Sequence, residues 1–387
     1  MAPEHRSAAN IGNNMVVGEP HMKSSRYPTT ISRRLVIAAI LGCLLAGCTV
    51  VGPTAIRSGR LAYNEAITET DNQQLLMAVI HNRYEERGSL LAVASVTANV
   101  RVATSTGVQL GFGDNDNYTG NLVPFSAGAV YEENPTISYT PVEGEKYATQ
   151  MFSPMPVTAL AQLAGTLTDP AYIYTTLVSS VNGIRNPGFL FHPAEPDPRF
   201  ERFVSIMTAL TRAGRLHWAG KPQHKGGFSV VIDHYAPTYA SDVSELLGLL
   251  GLPAPKDRSA PVILPVSLAL NGSDSGGIGI ITRSVYALVE ILSAAIEVPE
   301  EDLHNGATAS YPAPGLVGKD LRIRRSKSRP EHAAVAVKYR DGWFYIDETD
   351  HATKRFFRLM GTFWSVAIAE GAAKGSAAPV LTVPVSR

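Results

Sequence analysis

The chain has little charge, little cysteine and no net charge of either sign. Only 18% of its 387 residues are Asp, Glu, Lys or Arg, 34 basic residues balance 34 acidic ones, and there are two cysteines. A formal charge of zero argues against a nucleic-acid partner, because bulk attraction to phosphates needs a concentrated basic surface. An apolar fraction of 45% excludes a disordered chain, and 33 glycines without a G-X-Y period exclude a collagen-like one. The sequence shows no internal repeat. Long apolar runs are also scarce. The run from Leu35 to Leu45 is eleven residues, which as a helix reaches about 16 Å of a hydrocarbon core roughly 30 Å thick.

What is present begins with an address. Arg33 and Arg34 precede that run, and Leu45-Ala46-Gly47-Cys48 follows and ends it. A basic pair, a short apolar stretch and small residues before a cysteine form the layout of a secretory signal. The tetrapeptide resembles the lipobox of bacterial lipoproteins, in which cleavage falls between Gly47 and Cys48 and the Cys48 thiol carries diacylglycerol. Met22 is the expected start, since it gives a signal of ordinary length. Removing residues 1–47 leaves 29 basic residues against 32 acidic ones, and Cys43 leaves with the signal. The mature chain then forms no disulfide, and its body of about 340 residues is held by packing alone. Thr49 stands where an Asp would resemble an inner-membrane retention signal, which points to the outer membrane.

The sequence predicts an α+β body with interleaved helices and short strands, a C-terminal β-hairpin followed by a helix, and a final strand. Residues 48–58 read as anchor and tether, 59–165 as an N-terminal α+β region and 166–387 as a C-terminal one. Thr70 and Gln73 resemble a capping box opening a helix over 71–85, with Leu75, Leu76, Val79, Ile80 and Arg83 at helical spacing. Strands are expected over 89–104 and 135–142, around a polar loop at 105–121. Asp169-Pro170 and Asp197-Pro198 each pair a capping acid with a first-turn proline. Phe200, Phe203, Val204, Met207 and Leu210 share one face of the second of these helices, and Gly214 stops it. Strands then follow at 228–234, 262–270 and 278–282, and helices at 241–250 and 284–296.

Asp341-Gly342 suits a two-residue hairpin turn. With that turn Tyr339 faces Phe344, Val337 faces Ile346, and Val335 extends the same apolar face, while Lys338 opposes Tyr345 and Arg340 opposes Trp343. The following helix, over 350–369, carries Phe356, Met360, Phe363 and Ala367 on one stripe, and 380–385 reads as a strand.

Chemistry is thinly signalled. Asp274-Ser275-Gly276-Gly277 resembles the nucleophile segment of chymotrypsin-like proteases, yet Ser273 replaces the preceding glycine and the histidine segment is missing; a turn explains the same residues. The histidines form no H-E-x-x-H pair, and Asp114-Asn115-Asp116-Asn117 lacks the EF-hand Gly and Glu, so neither zinc nor calcium is expected. Gly111-Phe112-Gly113 lacks the third glycine of a dinucleotide fingerprint, and no cofactor is called for. Asp347, Glu348, Asp350 and His351 cluster at the start of the last helix, where capping accounts for them. Lys319, Arg322, Arg324, Arg325, Lys327 and Arg329 form a basic stripe, with Leu321 and Ile323 facing the other way. It suits an edge strand guarded by positive charge, or a docking surface for an anionic lipid or glycan.

Tyr63-Asn64-Glu65-Ala66-Ile67, Glu69-Thr70-Asp71-Asn72, Gln74-Leu75-Leu76, Pro135-Thr136-Ile137-Ser138-Tyr139-Thr140-Pro141 and Trp343-Phe344-Tyr345-Ile346-Asp347 together resemble a family of uncharacterised Gram-negative lipoproteins. The resemblance implies an anchored envelope protein and brings no activity with it. The expectation is a non-enzymatic component that binds or scaffolds an envelope protein or anionic partner, attached to the membrane through Cys48. An envelope hydrolase with an unrecognised active site is the alternative, and Ser275 and Asp347 are the residues that would separate it from the binding reading.

Overall fold

The computed structural model describes residues 51–108, 125–166, 169–190, 197–220, 227–257, 260–268, 276–373 and 381–384. The lipobox, the polar tip at 114–117, and Asp274 and Ser275 lie outside them. In chain order the elements are α1 (Val51–Arg83), β1 (Leu91–Val108), β2 (Phe125–Pro141), α2 (Glu145–Phe152), α3 (Val157–Thr166), α4 (Pro170–Leu177), β3 (Val178–Val181), β4 (Ile184–Arg185) and β5 (Phe189–Leu190). Then come α5 (Pro198–Arg212), β6 (Leu216–Gly220), β7 (Phe228–Ile232), α6 (Ala240–Leu249), β8 (Val262–Leu268), β9 (Ile278–Thr282), α7 (Val285–Ala294) and α8 (Glu300–His304). The chain closes with β10 (Ala313–Pro314), β11 (Arg324–Ser326), β12 (Ala333–Tyr339), β13 (Gly342–Asp347), α9 (His351–Ala373) and β14 (Leu381–Pro384). The fold is α+β, as expected.

Two compact units divide at Glu65/Ala66. The division expected near residue 166 is not found: within Ala66–Arg387 one core runs from Leu75 and Leu76 through Tyr174, Phe203 and Ile280 to Phe356 and Met360. Residues on both sides of 166 bury their apolar faces against one another, so neither part has a core of its own.

A six-stranded sheet, ordered β4-β3-β9-β8-β7-β6, is antiparallel except between β8 and β9. Local chemistry sets the helices that pack on it. Asp169 accepts from the Tyr172 amide and Asp197 from the Arg199 amide, each with proline in the first helical turn. Ser284 caps α7 by accepting from Ala287, and Gly214 takes a φ of +67° after α5.

Two local expectations are corrected. Helix α1 is described from Val51 onward, so residues 51–58 of the tether expected over 49–58 are helical. Thr70 therefore lies inside the helix, where its hydroxyl donates back to the carbonyls of Ala66 and Ile67 instead of capping. Strands β1 and β2 are both longer than expected and pair along their whole length, with one irregularity between Val93 and Ser95.

The hairpin keeps its expected apolar face but not its pairing. Val337 opposes Phe344, Val335 opposes Ile346 and Lys338 opposes Trp343, with Arg340 and Asp341 as the loop. Moving the turn back by one residue shifts each partner by two positions, so every side chain stays on its own face. The cause lies outside the hairpin. A Cβ on Gly342 would meet Arg325 Nε at 2.8 Å, so this glycine serves close approach by Arg325, which also bonds Asp341 at 2.6 Å. Arg340 takes the positive φ of 51°, held by a 3.0 Å bond to Glu86 and by stacking on Tyr84.

Candidate functional site

The basic stripe becomes part of the fold. Leu321 and Ile323 are buried, Ile323 forms a parallel bridge to Ile296, and β11 is one of the two outer strands of the three-stranded sheet β11-β13-β12. Its arginines are mostly engaged. Arg325 pairs with Asp341, Arg324 lies 3.9 Å from Asp347, Arg322 donates to the carbonyls of Lys319 and Leu321, and Arg329 sits over the Trp343 ring. Lys319 and Lys327 remain exposed.

The acidic cluster is likewise accounted for. Asp350 caps α9 by accepting from the Thr353 amide and hydroxyl, and the buried Thr353 oxygen accepts from the Arg322 amide. Asp347 accepts from the hydroxyl and amide of Thr349. Those bonds, helped by Arg324, hold its carboxyl below the ordinary carboxylate value. Glu348 and His332 are 3.9 Å apart on the surface. Among the described residues no group of three or more His, Cys, Asp or Glu could hold a metal ion.

A site that the motifs did not reveal is a groove of about 1360 Å³ between α1, the first residues of β1, the β12–β13 hairpin and α9. Its floor is apolar: Leu75, Val335, Ile346, Phe357 and Trp364 line it, each no more than 7% exposed. Its rim is basic, with Lys354, Arg355 and Arg358 along α9 against the single acid Asp71 on α1. Partial burial pushes the Asp71 carboxyl above its ordinary value.

The walls are fastened by specific bonds. The Gln74 amide accepts from Leu91 N at 2.9 Å and donates to Leu91 O at 3.2 Å, acting as one residue of a strand partner for the start of β1. Arg355 is aimed by Asp169, 3.1 Å away, and by stacking on the Tyr172 ring. Tyr172 is half-buried, and that burial raises its pKa to about 12, so the phenol stays neutral beside that cation. Arg358 makes no ion pair among the described residues and is exposed at the rim.

Sequence periodicity found α9 but assigned it one apolar stripe. Phe356, Met360 and Ala367 do enter the core, with Phe357 and Trp364 also buried and Phe363 only half-buried. Phe357, Gly361, Trp364 and Ile368 form a second row at spacings of three and four, and this row faces the groove. An apolar sector wider than one neighbouring element can cover was the legible signal. The basic residues at 354, 355 and 358 mark its edge.

Compared with known proteins, the chain matches no family model, and no curated protein or solved structure is significantly similar to it. The groove's own chemistry therefore carries the functional reading.

Proposed function

We propose that this chain is a lipid-anchored envelope protein that acts by binding, not by turnover, and that its groove takes an elongated amphiphile with an acidic head group. The anchor is the diacylglyceryl thioether on Cys48, at the outer membrane facing the periplasm. The observation that supports the ligand class is the apolar floor running beside three cations and a single acid. A volume above the roughly 300–1000 Å³ of ordinary small-molecule pockets suits a long chain. Its methylenes would lie on Leu75, Phe357 and Trp364, and each contributes about 0.8 kcal/mol when buried. The head group would lie against Arg358 and Lys354 at the rim, where a charge-assisted bond fixes which end is held.

Two experiments test the two parts. In cells, Cys48→Ala leaves unprocessed precursor that no longer acquires lipid, whereas an unchanged mature mass and membrane fraction would overturn the anchor. In solution, calorimetric titration with a long-chain carboxylate shows saturable binding, and Arg358→Glu weakens it about tenfold, in line with the loss of one charge-assisted bond. The methyl ester of the same acid binds the parent and the variant alike. Equal affinity of the two proteins for the free acid would overturn the head-group assignment.

A further inference from the structure

The β1–β2 ribbon continues its pairing well past the point where β14 joins it. Among the described residues, strand β14 covers the β2 edge only at Thr136–Tyr139, and β1 has β2 as its one strand neighbour. From residues 98 to 108 and 125 to 135 the two strands therefore pair, among the described residues, with each other alone, eleven residues on each side. At about 3.3 Å per residue this stretch is some 36 Å long. Among the described residues neither edge of this stretch has a strand partner, and a two-stranded ribbon of that length is marginal by itself.

The register sorts its sequence into two unlike faces. On one fall Ala98, Val100, Val102, Thr104, Thr106 and Val108 with their partners Pro135, Glu133, Tyr131, Ala129, Ala127 and Phe125. Glu133 is the only charge among these twelve positions, and it belongs to the pair next to the end nearest the body. On the other fall Asn99, Arg101, Ala103, Ser105 and Gly107 with Asn134, Glu132, Val130, Gly128 and Ser126, and Arg101 lies opposite Glu132. Alternation of apolar with small or polar residues over about ten positions is the pattern of a strand with hydrocarbon on one side and water on the other.

We infer that this part of the ribbon is one segment of a membrane-spanning β-barrel built from several copies of this chain. Lipid satisfies no backbone hydrogen bond, so a ribbon can enter it only if both edges are paired. Copies of the same ribbon supply those partners. The free edge of β2 in one copy meets the free edge of β1 in the next, the strands alternate in direction as an antiparallel barrel requires, and the repeated head-to-tail contact closes a ring. Since the smallest such barrels have about eight strands, four or more copies are needed. Strand β14 marks the boundary, because it occupies the β2 edge where the ribbon joins the body. The face of register positions 99, 101, 103 and 105 would line the lumen. This inference is independent of the groove and its ligand.

The test uses the full chain in native membranes, with single cysteines placed in turn from Asn99 to Thr106. Label by a membrane-impermeant maleimide is expected at 99, 101, 103 and 105 and protection at 100, 102, 104 and 106, with protection lost in detergent-denatured protein. Native mass spectrometry of the parent in mild detergent is expected to give an assembly of at least four copies. Where one cysteine variant fails to fold, the position two residues along reports the same face. Equal labelling of both faces in membranes, or a monomer in mild detergent, would overturn the proposal.

Discussion

Phe344→Ala is expected to lower the free energy of unfolding by about 3–5 kcal/mol, the range for removing a fully buried aromatic ring. Phe344 is 1% exposed, faces Val337 across the hairpin and meets the Tyr339 ring edge-on at 6.0 Å. The neighbouring Trp343 points to the other face, half-buried and stacked by Arg329, so Trp343→Ala costs less. Urea denaturation of the two variants separates the faces. Equal losses, or a Phe344→Ala protein as stable as the parent, would contradict the hairpin described above.

Arg283→Met is expected to cost at least about 3 kcal/mol, because it leaves several buried carbonyls without donors, at roughly 1–3 kcal/mol each. Arg283 is 4% exposed, and its guanidinium donates to the carbonyls of Thr175, Thr176, Val178 and Asn186. The first three close the C-terminal end of α4, a helix with no basic residue in its last turn. The cation thus supplies both the missing donors and the positive charge that the helix end favours. Burial draws its pKa down to about 9, which still leaves it charged at neutral pH. Asn186 reinforces the clamp by donating to Thr175 O and Val178 O. Arg283→Lys retains the charge but reaches fewer carbonyls and is expected to fall between parent and Arg283→Met. Full stability of Arg283→Met, measured by chemical denaturation, would show that these carbonyls find other donors.

How far the fold could be read from the sequence depended on whether the deciding interaction was local. Asp169-Pro170, Asp197-Pro198 and Ser284 start their helices through bonds spanning two or three residues, and the sequence holds all the partners. Alternation placed Val335, Val337, Phe344 and Ile346 on one buried face for the same reason. The pairing within that hairpin was not legible, since Arg325 and Glu86, distant in sequence, set its turn. Thr70 and Gln73 look like a helix start because capping letters also occur inside helices, where a hydroxyl can bond the preceding turn. Arg283 gave no signal at all, as nothing in its neighbours announces a helix end more than a hundred residues earlier. The groove was hidden for the same cause. Its floor joins Leu75, Val335 and Trp364, and only the folded chain brings them together.

Trp364 offers the most direct measurement of the central claim, that the groove holds the apolar chain of an acidic amphiphile. It is 4% exposed, lines the groove floor, and is one of three tryptophans, the others being Trp218 and Trp343 outside the groove. Titrating the protein with a long-chain carboxylate carrying a bromine near mid-chain is expected to quench the emission saturably. Trp364→Phe is expected to abolish that quenching while calorimetry still registers binding of the same ligand. Quenching that survives in Trp364→Phe, or saturable binding that leaves the emission of Trp364 unchanged, would place the ligand elsewhere and contradict the account.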